Sequence, residues 1–108
     1  MYLRVKSYLM IVRIVKMEFK PEEVDNFTKL FEERKEKIRS FPGCTYLELL
    51  QGTAANQSVF MTYSYWASED DLNNYRYSDY FAETWQLTKA MFSKKAEAIS
   101  THKLHSLK

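Results

Sequence analysis

A chain of 108 residues with 28% charged side chains and a net charge of +2 fits one globular domain; it offers no basic stripe for nucleic acid or an anionic membrane. The single cysteine, Cys44, excludes an intramolecular disulfide and a cysteine-rich metal site and suits a reducing, cytoplasmic compartment. No apolar run approaches the roughly 20 residues that span a bilayer. Aromatic residues make up 16% of the chain, more than core filling asks for, which points to an apolar pocket or a subunit interface.

Residues 1–9 read as an N-terminal extension, too short and too charged for a secretory signal, ahead of a domain over residues 10–108. Residues 10–19 are rich in β-branched and apolar side chains, interrupted by Arg13 and Lys16, and predict strand 1. Pro21, Glu22 and Glu23 suit a helix start, and Val24, Phe27, Leu30, Phe31 and Ile38 recur at helical spacing to about Ser40. Phe41-Pro42-Gly43 stops that helix. Strand 2 (44–50), a polar turn and strand 3 (58–66) then form a hairpin. Ser68 with the following acids predicts a capped short helix to about Tyr77. Ser78 or Asp79 caps a longer helix, whose stripe is Phe81, Thr84, Trp85, Thr88, Met91 and Phe92. Residues 96–107 lack helical periodicity and predict strand 4.

The order β-α-β-β-α-β predicts an α+β ferredoxin-like fold, an antiparallel four-stranded sheet with helices on one face. If strand 3 alternates, Phe60, Thr62, Ser64 and Trp66 share one face, and Val59, Met61, Tyr63 and Tyr65 share the other. An apolar face without helices would need a partner, so a homodimer is expected.

The segments Phe41-Pro42-Gly43-Cys44, Tyr65-Trp66-Ala67-Ser68-Glu69-Asp70-Asp71-Leu72 and Ser78-Asp79-Tyr80-Phe81, set in this element order, resemble the antibiotic biosynthesis monooxygenase (ABM) domain over residues 10–107. The resemblance implies a dimeric α+β barrel with a cleft between each sheet and its own helices. It also implies oxidation of phenolic or quinol-like compounds by O2 without metal or flavin. Haem-degrading relatives use an Asn on strand 1, a Trp ending strand 3 and a His in the long helix. Trp66 matches the Trp, but Val15 stands at the Asn position and Trp85 near the His position, leaving no evident axial ligand.

Trp66 is either a corner aromatic or a wall of that cleft, and the resemblance aims it inward with Phe60, Thr62 and Ser64. Asn74, Tyr75 and Arg76 belong to the short helix that would lid the cleft, and Tyr80 and Trp85 to the long one. Arg76 would steady a phenolate, because a cationic donor aimed at developing negative charge lowers the barrier. His102 and His105, three apart on a presumed strand, point to opposite faces and make a poor metal pair. His102 would instead accept a phenol's proton. Trp66, Arg76 and His102 are therefore the catalytic candidates; Phe60, Thr62, Ser64, Asn74, Tyr75, Tyr80 and Trp85 are the substrate-binding candidates. No metal or cofactor is called for. The alternatives are a non-catalytic barrel that binds an apolar small molecule, and haem degradation. An RNA-recognition domain shares the element order, but strand 3 lacks the Gly and basic residues that reading requires.

Overall fold

In the computed structural model, which describes residues 10–108, the chain folds in the expected order. The extension assigned to residues 1–9 lies outside the described residues. β1 (Ile11–Phe19) leads through a 3-10 turn at Pro21–Glu23 into α1 (Val24–Arg39). β2 (Cys44–Gln51) and β3 (Val59–Trp66) follow, then α2 (Glu69–Arg76), α3 (Asp79–Lys89) and β4 (Phe92–Thr101). Among the described residues no helix is long and apolar enough to cross a membrane.

Local chemistry explains the boundaries. The Ser68 hydroxyl accepts from the Asp71 backbone N–H at 3.2 Å, and the Ser78 hydroxyl accepts from the Phe81 N–H at 3.1 Å, so each cap satisfies a donor the helix leaves free. After α1 the chain reverses through Gly43 at φ 85°, a backbone conformation that favours glycine. A Cβ there would also meet the Asp71 side chain at 2.3–2.4 Å. The turn and the start of α2 are locked together by the Ala67 N–H, which donates to the Gly43 carbonyl at 2.8 Å.

The sheet order is β2-β3-β1-β4, with every pairing antiparallel. In that register Ile11, Arg13, Val15 and Met17 lie opposite Trp66, Ser64, Thr62 and Phe60. These residues share the helix-covered face, because directly opposed residues point the same way. Val59, Met61, Tyr63 and Tyr65 take the other face, where register adds Tyr46 and Leu50 from β2 and Ile99 from β4. Tyr46, Leu50 and Ile99 are 39%, 42% and 57% exposed.

β4 departs from expectation. It spans Phe92–Thr101, not 96–107, and α3 ends at Lys89, so Met91 and Phe92 leave the predicted helical stripe. The register of β4 on β1 shifts twice, between Lys16 and Glu18 and between Glu18 and Phe19. A bulge puts apolar residues out of step with simple alternation, which hides the strand's start from a periodicity reading. His102 therefore falls just past β4, and His105 lies in the exposed tail.

Two clusters fill the helix-covered face. One joins Met17, Phe19, Phe27, Phe60 and Met91; the other joins Ile11, Cys44, Trp66 and Leu72, with Phe41 and Tyr75 against it.

Candidate functional site

Between sheet and helices lies a cavity of about 320 Å3 whose lining draws on both clusters. That is the low end of the range for small-molecule sites, about 300–1,000 Å3. Its floor is the sheet: Arg13 and Val15 from β1, Leu47 from β2, Thr62 and Ser64 from β3, Ala98 from β4. The helices supply Leu30, Phe31 and Arg34 from α1, Tyr75 and Arg76 from α2, and Phe81, Thr84 and Trp85 from α3.

A run of aromatic contacts builds one wall. Trp66 is fully buried (0% exposed) and stacks on Tyr75, with ring centroids 5.1 Å apart and planes 18° from parallel. Tyr75 meets Phe81 edge-on at 5.1 Å, and Phe81 stacks on Trp85 at 5.8 Å. The Trp66 indole N–H donates to the Ser64 hydroxyl at 2.9 Å, which satisfies a donor that burial would otherwise make costly.

Among the described residues three arginines line the cavity, and no carboxylate does. Arg34 is neutralised: its guanidinium donates to Glu83 at 2.9 Å and to the Thr84 hydroxyl at 2.9 Å, and the Glu83 bond holds its pKa up. Arg13 donates to the Ser100 hydroxyl at 3.0 Å. Its pKa is pushed down, first by burial and then by the charge of Arg76. Among the described residues neither Arg13 nor Arg76 is ion-paired.

Burial, reinforced by Tyr80 and Cys44, pushes the Tyr75 phenol well above its ordinary range. At neutral pH Tyr75 is therefore a hydrogen-bond donor and not a base. The other polar lining groups among the described residues are Ser and Thr hydroxyls and guanidiniums, and no His, Asp or Glu is among them. Among the described residues no three of His, Cys, Asp or Glu gather to hold a metal.

Of the residues singled out in the sequence, Thr62, Ser64, Tyr75, Arg76 and Trp85 meet at this cavity. Phe60, Trp66, Asn74, Tyr80 and His102 are not part of its lining. Phe60 is 1% exposed within the first cluster. Trp66 lies behind Tyr75 rather than forming the wall itself. Asn74 is exposed on α2. Tyr80 packs on α1, its hydroxyl donating to the Arg34 carbonyl at 3.3 Å beneath the Arg34 and Lys37 cations. His102 is exposed, with Nδ1 3.1 Å from the Met10 carbonyl.

Arg13 was not among the sequence candidates, although a signal existed. Arg13 and Lys16 are three apart on a strand, so they cannot both face solvent, and one charge has to enter the helix-covered face. Lys16 is the exposed one.

The sequence model of the antibiotic biosynthesis monooxygenase family matches residues 10–86. The chain belongs to this family. The matched span runs from β1 through most of α3 and contains every cavity-lining residue except Thr88 and Ala98. Solved structures share the fold. A conserved protein from Methanosarcina mazei Go1 is 26% identical with a TM-score of 0.83, covering 93% of this chain and 98% of that one. SnoaB from Streptomyces nogalater, a cofactor-independent oxygenase, superposes with a TM-score of 0.80 at 12% identity, covering 91% and 96%. An antibiotic biosynthesis monooxygenase structure gives 0.79 at 20% identity, covering 88% and 99%. Among curated protein sequences none matches. At these identities SnoaB and the latter structure speak to the fold of the family and not to its chemistry.

Proposed function

We propose that this ABM-family chain oxidises a small aromatic, phenol- or quinol-like substrate with O2 in the cavity, without metal or flavin. The observation that carries the reading is a mostly apolar cavity walled by Tyr75, Phe81 and Trp85 whose unpaired charges are cationic. Ground-state O2 is a triplet and reacts slowly with closed-shell molecules unless they yield an electron easily. A phenolate yields one far more readily than its phenol. Arg76 and Arg13 favour that anion, and Tyr75 adds a neutral donor. Because no His, Asp or Glu lines the cavity among the described residues, the substrate's proton passes to water. A quinol then gives two electrons and two protons to O2, leaving quinone and hydrogen peroxide. Where oxygen adds instead at a ring CH2, the carbon hydroperoxide loses water; one oxygen atom stays as the carbonyl and the other leaves in the water.

O2 uptake across a panel of one- to three-ring quinols tests this directly. Uptake should exceed background, and Arg76→Gln should lower it without unfolding the protein. No uptake with any quinol favours the non-catalytic binder instead, a reading the missing base supports. Haem degradation is distinguished separately. Trp85, near where haem-degrading relatives carry His, packs edge-on against Phe92 at 5.6 Å, so haem addition should give no Soret band.

We place the assembly as a homodimer, because Tyr46, Leu50, Met61, Tyr63 and Ile99 share a sheet face on which the clusters and cavity of the helices do not lie. Light scattering at micromolar concentration should give twice the monomer mass; a monomer mass overturns the dimer.

A further inference from the structure

The Arg13–Arg76 pair is not explained by the fold. Arg34 shows what this protein does with a cavity guanidinium that has no ligand to meet: it supplies Glu83 and Thr84 as partners. Among the described residues Arg13 receives only the Ser100 hydroxyl and Arg76 has no carboxylate. Residues 1–9 contain no Asp or Glu that could supply one from the same chain. Among the described residues no carboxylate lines the cavity either, so two like charges share a partly desolvated site without a counterion there. Such an arrangement disfavours the empty protein and favours an anion in it. Helix position explains Arg76 in part, since a cation ending α2 suits the helix dipole. It does not explain Arg13, which sits within β1 between Ser64 of β3 and Ser100 of β4.

We infer that Arg13 and Arg76 form an anion subsite at one end of the cavity, and that the ligand is an aromatic carboxylate whose ring lies along Tyr75, Phe81 and Trp85. A carboxylate is favoured because it carries its charge permanently at neutral pH and has two oxygens for two planar donors. The apolar remainder and the modest volume of the cavity suit a ring system better than a sugar phosphate or a peptide. This rests on the reading of the cavity as the ligand site, but not on the oxidation chemistry.

The experiment is isothermal titration of the full chain with benzoate, 2-naphthoate and anthracene-2-carboxylate, each beside its uncharged amide. At least one acid should bind about ten- to a hundredfold more tightly than its amide, the scale of hydrogen bonds to charged groups. Arg13→Gln and Arg76→Gln should each remove most of that preference by weakening the acid more than its amide, with a far-ultraviolet circular dichroism spectrum like that of the wild type to show that the variant is folded. Arg76→Lys, which keeps the charge but loses the planar fork, should fall between. Equal affinity for acid and amide, no binding of any acid by the wild type, or a preference that survives both glutamine substitutions overturns the subsite. Absence of O2 uptake with quinols, by contrast, removes only the oxidation reading and leaves this result standing.

Discussion

The two ends of the helix-covered face are packed by different aromatics. At one end Phe19 stacks on Phe27 at 4.1 Å and meets Phe60 edge-on at 5.6 Å, three rings with no polar atom to satisfy. At the other end Trp66 and Tyr75 stack, and each brings a polar group: the indole N–H finds Ser64, and Tyr75 lines the cavity, as Arg76 does. Phe19 and Phe60 only close space, whereas Tyr75 edges a space that has polar work to do and Trp66 backs it. The cavity reaches Met17 and Phe27 of the first end, but its polar groups are not supplied by these rings, and the difference can be probed from either side.

The largest effect belongs to the closed end. Phe60→Ala should cost about 3–5 kcal/mol of stability, the usual range for emptying a buried aromatic position, read from the urea midpoint. If ligand binding also disappears in variants that remain folded, the two ends are not independent. At the site end, Ser64→Ala removes the acceptor beneath Trp66 and leaves a buried N–H without its partner. The expected cost is about 1–3 kcal/mol, with a looser Tyr75 and weaker binding; a neutral result would mean that water replaces the hydroxyl. Ser68→Ala, at the cap of the helix carrying Tyr75 and Arg76, should cost about 1 kcal/mol by thermal melting and lower affinity only slightly.

The smallest effect is visible only at high pH. The Tyr75 phenol ionises near its ordinary value of 10.0 when unfolded but well above it when folded. The folded state thus holds its proton longer, so this contribution is intact below pH 10 and is lost as pH rises beyond it. Urea unfolding from pH 8 to 11 should show wild-type stability falling more steeply than that of Tyr75→Phe. Parallel curves would mean that the phenol is less desolvated than its burial indicates.

Local chemistry made much of this molecule legible in its sequence. Ser68 and Ser78 cap their helices through bonds that span three residues, and Gly43 turns a chain whose stop at Phe41-Pro42-Gly43 is plain. The alternation of β3 placed Phe60, Thr62, Ser64 and Trp66 on one face, because side-chain direction on a strand is set by the backbone alone. What the sequence left open depended on distant partners. β4 begins at Phe92 because it pairs with β1 through two register shifts, and the strand ends at Thr101, which leaves His102 just past it. Trp66 faces inward as alternation requires, yet whether it would wall the cleft or lie beneath the wall depended on Tyr75 folding over it from α2. Whether Arg13 or Lys16 would enter the cavity was likewise decided by which face of β1 the helices cover. Periodicity records the direction of a side chain, but not what a helix many residues away lays on top of it.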